Sequence, residues 1–257
     1  MTSPIPFQNI RVLSFDIYGT LIDWESGLHT GLLSSPLGPH LRSLPRKRVL
    51  ETFEDLEVQI QKESPTMLQS GVNAEAVRRY AQRLGVVEAL GGEAALDEAA
   101  KVFGDSLGEW PTFEDTVGAI QRLGQRFKLV PLSNVDNESW GKAARGPLSE
   151  CRFDAVYTAE NIGSYKPDPR NFEYLFEHIK QDFGAEKEQL CHVAQSLYHD
   201  HAAIKPFGIT SVWVDRKGFM GGKTEGRSEA AKADEYGYQL RVETLAELAD
   251  IIDKAMA

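Results

Sequence analysis

Short runs of apolar residues recur along the chain and alternate with longer segments whose apolar residues follow helical spacing. The runs predict five strands, at Val12–Phe15 and at residues 127–132, 153–158, 191–194 and 209–214. Helices are predicted from "EDTVGAIQRLGQR" before the second strand, and at residues 171–183, 200–206 and 242–255. Because continuously apolar strands joined by helices are typical of a parallel sheet covered on both faces, the pattern predicts a doubly wound α/β core.

Residues 23–110 differ from this pattern, because they contain helical periodicity without a convincing strand. The helical stretches are "RKRVLETFEDLEVQIQK", "AEAVRRYAQRLG" and "ALDEAAKVFGDSLGEW", separated by the turn-rich pieces "SSPLGPH" and "ESPTMLQSG". We therefore predict an all-helical insertion at residues 22–112, with the α/β core formed by residues 1–21 and 113–257. The glycine- and lysine-bearing stretch "RKGFMGGKTEGRSE", at residues 216–229, predicts a mobile loop.

Composition and charge narrow the classes of partner. The formal net charge of the 257-residue chain is -10, which argues against a broad nucleic-acid or anionic-membrane surface. An anionic substrate then needs a local positive pocket. The two cysteines are too few for a disulfide framework or a thiolate metal site. The start "MTSPIPFQN" does not resemble a signal peptide, and no apolar run reaches the roughly 18–20 residues of a membrane span, so we expect a cytoplasmic protein.

Polar residues stand directly after the predicted strands. An ionised acid left unpaired in such an apolar setting costs several kcal/mol, which makes Asp16, at the end of the first strand, a candidate for function. In an open parallel sheet, ligands bind at the carboxyl ends of the strands, beside the point where the strand order reverses. The polar residues that converge there are Asp16, Ser133, Asn134, Lys166, Gln195, Ser196, His199 and Asp200.

The segments "FDIYGTL", "LSN", "YKPDP" and "VAQSLYHDHAAIKPFGI" occur in the order and spacing of the haloacid dehalogenase superfamily, which this chain resembles over nearly its whole length. The resemblance implies a Rossmann-like core, and the helical insertion resembles the superfamily's cap domain. Such caps close over the site, exclude water and set the choice of substrate. Within the superfamily, the motifs are closest to those of the 2-haloacid dehalogenases.

The resemblance implies a role for each motif residue. Asp16 would be the nucleophile that forms a covalent ester with the substrate, a reaction that proximity and desolvation favour. Lys166 would keep Asp16 ionised by lowering its pKa. Thr20 would donate its hydroxyl to Asp16 or cap the following helix. Ser133 and Asn134 would donate hydrogen bonds, through side chain and backbone, to the carboxylate of the substrate.

Position 18 separates two activities of the superfamily. Most of its phosphatases carry a second aspartate there, which protonates the leaving alcohol, and this chain has Tyr18. Halide leaves without a proton, so a dehalogenase does not need that acid. Tyr18 could instead form an apolar wall over a small substrate, or be a core aromatic residue. Tyr18, Ser133, Asn134, Gln195, Ser196 and His199 are the candidates for substrate binding.

The fourth motif bears on metal binding. Phosphatases of the superfamily place acids there around Mg²⁺, whereas this chain retains Asp200 alone. We therefore expect no cofactor; if Mg²⁺ bound, its ligands would be Asp16, the backbone of Tyr18 and Asp200. In the 2-haloacid dehalogenases the acid at the place of Asp200 helps to activate the hydrolytic water. His199 and His201 flank it and could assist proton transfer, although surface or packing roles are the more usual alternative.

Three departures from the haloacid enzymes concern substrate recognition. Their cap arginine, which receives the halide, aligns near Glu54, while Arg42, Arg46 and Arg48 lie upstream. Their tyrosine after the lysine motif corresponds to Phe172, and their asparagine in the fourth motif corresponds to Leu197.

The function that the sequence favours is hydrolysis of a small acid, such as a 2-haloalkanoate, through a covalent aspartyl intermediate. The runner-up is a Mg²⁺-dependent phosphatase that lacks its usual general acid. A third alternative is a non-catalytic descendant that binds a small anion or a protein partner, against which the Asp16–Lys166 pair counts. The expected partner is a small anionic substrate, with no nucleic acid and no membrane. The oligomeric state stays open, with a homodimer as one option.

Overall fold

The computed structural model of the chain describes residues 5–216 and 229–256, with side chains from residue 232 in the second range. The described residues divide into two compact units, the first lying within residues 1–23, 112–134 and 148–257, the second within residues 24–111 and 135–147. Most of the predicted mobile loop, residues 217–228, lies outside the described residues.

The first unit is built on one sheet of parallel strands, which confirms the predicted α/β core. The spatial order is β3-β2-β1-β4-β5-β6, so the strand order reverses between β1 and β4 and a crevice is expected at their carboxyl ends. The strands are β1 Val12–Phe15, β2 Lys128–Ser133, β3 Tyr157–Thr158, β4 Leu190–Ala194, β5 Thr210–Val214 and β6 Leu240–Val242.

The central strands are buried because helices cover both faces of a parallel sheet. Every residue of β1 and β4 is buried. Apolar side chains of β2 and β4 pack with helix α9, in which Phe172, Leu175 and Ile179 are buried. Burial of such side chains stabilises the fold by about 1.5–3 kcal/mol each. The helices of this unit are α6 Thr116–Leu123, α8 Ala159–Ile162, α9 Arg170–Phe183, α10 Ala202–Ile204, α11 Glu229–Tyr236 and α12 Leu245–Ala255.

The second unit is helical throughout its regular structure. Its centre contains aromatic rings that contact one another at tilted angles, with Phe103 5.6 Å from Phe53 and 6.4 Å from Trp110 between ring centroids. Gly27 is required there, because a Cβ atom at this position would collide with the Trp110 ring. The helices of this unit are α1 Trp24–Ser34, α2 Gly38–Leu41, α3 Arg46–Glu63, α4 Gln69–Leu84, α5 Glu93–Asp105 and α7 Asn137–Arg145. The boundary predicted for the insertion, residues 22–112, stays a prediction.

Two predicted elements are shorter than expected, for local reasons. The third strand contains only Tyr157 and Thr158, because the Asp154 carboxylate accepts the backbone N–H of Leu129 at 3.0 Å in place of a strand neighbour. The closing helix was expected to begin at residue 242, but Thr244 caps its amino end by accepting the Glu247 N–H. The helix therefore begins at Leu245, and Val242 is the last residue of β6.

The helix predicted at residues 200–206 is a succession of three different turns. A π-helical turn, Leu197–His201, continues into α10 and then into a 3₁₀ turn, Lys205–Phe207. Pro206 has no N–H to donate and so cannot continue an α-helical ladder. Single π turns occur frequently at functional sites, and this one contains Asp200. Among the described residues, no helix has the length and apolar character that crossing a bilayer requires.

Candidate active site

The chain turns sharply where β1 ends, and the turn carries the carboxylate of Asp16. The backbone N–H of Asp16 still donates to Val193 O of β4 at 3.1 Å, as in the sheet. Beyond it, the carbonyl of Ile17 accepts from three successive backbone amides, and Gly19 has φ +96°, a left-handed conformation that glycine adopts without strain. The turn brings the Thr20 hydroxyl back to Asp16, to which it donates at 3.3 Å. Thr20 Oγ1 also accepts the Gln195 N–H at 2.9 Å, which joins this turn to the end of β4.

Lys166 donates a hydrogen bond to each of three oxygens from different parts of the sheet. Its Nζ lies 2.8 Å from Asp16 Oδ1, 2.7 Å from Asp200 Oδ1 and 3.0 Å from Leu132 O. An ammonium group has three protons to donate, so all three are used. The side chains of Lys166, Asp16 and Asp200 are 2%, 10% and 1% exposed, which makes this a buried array of one cation and two carboxylates.

Asn134 holds the backbone of Lys166 in place. Its Nδ2 donates to Lys166 O at 2.9 Å, and its Oδ1 accepts the Lys166 N–H at 2.7 Å. Both ends of the amide are therefore used within the protein. Ser133 is buried beside Asn134 at the end of β2. The hydrogen bonds that Ser133 and Asn134 are expected to donate to a substrate carboxylate, through side chain and backbone, stay a prediction.

Asp200 lies on the π turn, completely buried. Its Oδ1 accepts from Lys166 and also contacts His192 Nε2 at 2.8 Å. Its Oδ2 has no hydrogen-bond partner within the described part of the chain. An unpartnered buried carboxylate oxygen is costly, so this atom is the one where a reacting group or water is expected.

The sequence interpretation missed Ser14 and His192. They face each other in register on β1 and β4, with Ser14 Oγ 2.7 Å from His192 Nδ1, and both are completely buried. The available signal was a polar residue inside each of two otherwise apolar strands, "VLSF" and "LCHVA", because a buried polar group requires a partner.

The three central charges shift one another's pKa values. Burial opposes the charged form of Lys166, but Asp16 and Asp200 outweigh it and raise its pKa. Burial likewise opposes ionisation of Asp200, yet Lys166 and the His192 hydrogen bond hold the pKa of this carboxyl far below its usual range. Burial and the neighbouring Asp200 charge raise the pKa of Asp16, against the attraction of Lys166. Asp200 is thus ionised, whereas Asp16 takes up a proton more readily than an ordinary aspartate.

The remaining substrate-binding candidates lie around this array. Tyr18 is half-buried in the turn after Asp16. Gln195 is buried, and its backbone carbonyl accepts a hydrogen bond from Trp213 Nε1 at 3.0 Å. Ser196 caps the π turn by accepting the His199 N–H at 3.1 Å, and the exposed His199 ring lies 3.2 Å from the same hydroxyl oxygen.

His201 is a packing residue. It is completely buried, with Nδ1 3.1 Å from Ser211 Oγ and Nε2 2.9 Å from Ala194 O, and burial lowers the pKa of its ring to about 4. Leu197 packs against Trp213. Phe172 is buried, with its ring edge-on to His192 at 5.5 Å between centroids.

Arg216 was expected to begin a mobile loop, and this expectation is wrong for that residue. Its guanidinium is buried and donates to Thr20 O and to Asp115 Oδ1, both at 2.7 Å. It also lies over the Phe113 ring, 4.0 Å from the centroid. Arg216 therefore stabilises the turn that contains Asp16 and Thr20, through its hydrogen bond to the Thr20 carbonyl.

In the helical unit, the arginines upstream of Glu54 are exposed. Arg46 lies 3.2 Å from Glu25, a buried carboxylate of α1. Glu54 is exposed on α3.

The donor set fits a divalent metal poorly. Lys166 Nζ contacts Oδ1 of both carboxylates, so its positive charge would repel a cation shared by Asp16 and Asp200. No group of three or more histidine, cysteine, aspartate or glutamate side chains that could hold a metal ion exists among the described residues.

Comparisons with known proteins agree on one family. A family model described as haloacid dehalogenase-like hydrolase matches residues 10–208. Among curated proteins, (S)-2-haloacid dehalogenase 4A of Burkholderia cepacia is 24% identical over 82% of this chain and 85% of its own length. (S)-2-haloacid dehalogenase 1 of a Pseudomonas species is 27% identical over 80% of this chain and 85% of its own length.

Solved structures show the same fold. The L-2-haloacid dehalogenase PA0810 superimposes with a TM-score of 0.72 at 20% identity, over 95% of this chain and 99% of that one. The enzyme of Xanthobacter autotrophicus, solved with chloropropionic acid covalently bound, gives a TM-score of 0.67 at 18% identity over 96% of this chain and all of that one.

Proposed function

Since this chain belongs to the haloacid dehalogenase-like hydrolase family, we propose that it hydrolyses the carbon–halogen bond of a small 2-haloalkanoic acid. The observation that carries the proposal is the buried array in which Lys166 Nζ contacts both Asp16 and Asp200. The names of the two curated relatives support the choice of substrate class.

In the first step, an oxygen of Asp16 attacks the carbon that bears the halogen. A carbon–oxygen bond forms, the carbon–halogen bond breaks, and halide leaves with the bonding electron pair. Removal of water from Asp16 and its fixed direction make the carboxylate a better nucleophile than it is in solution. Lys166 favours the ionised form of Asp16, and the Thr20 hydroxyl fixes the orientation of the carboxylate.

In the second step, water attacks the carbonyl carbon of the Asp16 ester, and Asp200 Oδ2 takes one of its protons. The tetrahedral intermediate then expels the alkoxide of the 2-hydroxy acid, which receives this proton from Asp200. The Asp16 carboxyl group loses the remaining water proton to solvent. Asp200 suits the role of base because it is ionised and its Oδ2 accepts no hydrogen bond from the described protein.

We assign the carboxylate of the substrate to Ser133, the backbone of Asn134 and the positive charge of Lys166. Gln195, Ser196, His199 and Tyr18 are further candidates for substrate contact. We also propose that residues 22–112 are the cap domain of this chain.

The test is a screen of chloro- and bromo-2-alkanoic acids, in both enantiomers, beside phosphate monoesters, with and without EDTA. We expect halide release from at least one haloacid to survive EDTA, because the donor set fits Mg²⁺ poorly. A strict Mg²⁺ requirement, with turnover of phosphate esters and no halide release, would replace this proposal by the phosphatase alternative.

A further inference from the structure

His192 joins the active-site array to the interior of the sheet. Its position in β4 pairs in register with Ser14 of β1, so the two side chains project to the same face of adjacent strands. His192 Nδ1 lies 2.7 Å from Ser14 Oγ, and His192 Nε2 lies 2.8 Å from Asp200 Oδ1. Neither Ser14 nor His192 is exposed, so neither side chain reaches a substrate directly.

The partners of the ring fix where its hydrogens lie. An ionised carboxylate only accepts hydrogen bonds, so His192 Nε2 carries a hydrogen and donates it to Asp200. In the neutral ring, Nδ1 then accepts from the Ser14 hydroxyl. The other nitrogen of a histidine commonly determines the tautomer in this way. The Asp200 carboxylate thus specifies the tautomer, and the Ser14 hydroxyl, which can donate or accept, satisfies Nδ1 in it.

The consequence concerns the two oxygens of Asp200. Both donors, Lys166 Nζ and His192 Nε2, are directed at Oδ1, while Oδ2 is buried without a partner in the described part of the chain. Two converging donors on one oxygen oppose rotation of the carboxylate. Lys166 alone would oppose it less, because its ammonium is also shared with Asp16 and Leu132 O.

We propose that His192, with its Nδ1 satisfied by Ser14, is a positioning residue for hydrolysis of the covalent intermediate: it keeps Oδ2 of Asp200 free for the attacking water. The inference rests on the proposed function. It predicts a division between the two steps, because the contacts of Asp16 with Lys166 and Thr20 do not involve His192. Loss of the ring slows ester hydrolysis and leaves halide release nearly unchanged.

The experiment compares His192→Leu with His192→Gln in single-turnover reactions of the whole enzyme with a haloacid that the wild type accepts. Leucine fills much of the volume and donates nothing, whereas the Gln Nε2 can replace the donor at Asp200. Halide release reports the first step, formation of the hydroxy acid reports the second, and the mass of the quenched protein measures the ester on Asp16.

For His192→Leu we expect ester hydrolysis to slow by about 10–100-fold, which is the scale of a misplaced catalytic group. Halide release should stay within about threefold of wild type. The fraction of protein that carries the ester should therefore rise. His192→Gln should recover most of the second step.

Equal slowing of both steps in both variants, or an unchanged rate of ester hydrolysis in His192→Leu, would overturn the inference. If His192→Leu does not fold, His192→Met, which also has no donor for Asp200, takes its place with the same expected division between the two rates. A wild-type enzyme that releases no halide and forms no ester would instead remove the proposed function, and the inference with it.

Discussion

Each of the two units contains one cation paired with two carboxylates, and the two arrangements differ in burial. In the α/β unit, Lys166 contacts Asp16 and Asp200 with both carboxylates and the ammonium buried. In the helical unit, Arg79 pairs with Glu63 at 2.6 Å and with Glu75 at 2.9 Å, but the three side chains are 29%, 57% and 30% exposed. Distances alone do not distinguish these pairs. Their burial does, because water screens the second set and not the first.

This difference has a functional meaning. Ion pairs on a helix surface contribute about 0–1 kcal/mol of stability and perturb little else. A buried array of two carboxylates and one cation has a net negative charge, and burial of that charge lowers the stability of the fold. An array of this kind therefore suggests a functional role. Clusters of strongly perturbed groups are for this reason candidates for active sites.

The largest expected effect is that of Asp16→Asn. The amide is nearly isosteric but is not a carboxylate nucleophile, so turnover should be abolished while the circular dichroism spectrum and the thermal unfolding midpoint stay close to wild type. Asp168→Asn, which removes a carboxylate paired with Arg170 on the surface, is the matched control. An Asp16→Asn enzyme that kept a tenth of wild-type activity would contradict the assigned nucleophile.

Lys166→Ala should come next, with a loss of activity of about 10²–10⁴-fold, the scale of a positioned catalytic group. Asp16 loses its cationic partner, so its ionised fraction falls. Lys180→Ala is the control, since Lys180 pairs with Glu186 where both side chains are more than half exposed. A loss smaller than about threefold in Lys166→Ala, measured as kcat/KM, would mean that the buried array is not the catalytic centre.

The third prediction concerns pH. The pKa of Asp16 is raised by burial and by the Asp200 charge, and only the ionised form attacks the substrate. Halide release in the first turnover should therefore be lost, as pH falls, at a midpoint above the ordinary aspartate pKa of about 3.9. In Asp200→Asn, one cause of the raised pKa is gone and Lys166 serves Asp16 alone, so the midpoint should move to lower pH. A midpoint that moves upward would refute this account of the coupling.

The smallest effect is expected from Arg79→Ala in the helical unit. Loss of two exposed ion pairs should change the free energy of unfolding by less than about 1 kcal/mol in urea titrations, without changing kcat. Addition of about 0.5 M salt to the wild type should weaken these pairs to a similar degree. Destabilisation well beyond this limit would show that exposure does not separate the two kinds of ion pair.

The sequence by itself determined the layers of the core and the principal charged residues. Continuous apolar runs identified β1 to β5 because buried parallel strands tolerate few polar residues. The same rule drew attention to Asp16, the positions after the strands drew attention to Lys166 and Asp200, and the motif resemblance gave each of the three a role. These predictions depended on local pattern and on residue order, which a single chain displays directly.

Only the tertiary structure decided which polar groups meet. Ser14 and His192 are 178 positions apart and become neighbours through the register of β1 and β4, which the hydrophobic pattern does not encode. The side chain of Asn134 hydrogen-bonds both backbone groups of Lys166, 32 positions away along the chain, a contact that the sequence did not predict. Arg216 was assigned to a loop, yet it is buried against the turn of Thr20. In each case the deciding quantity is the cost of burying an unpaired polar group, and the partner that removes this cost comes from a distant part of the chain.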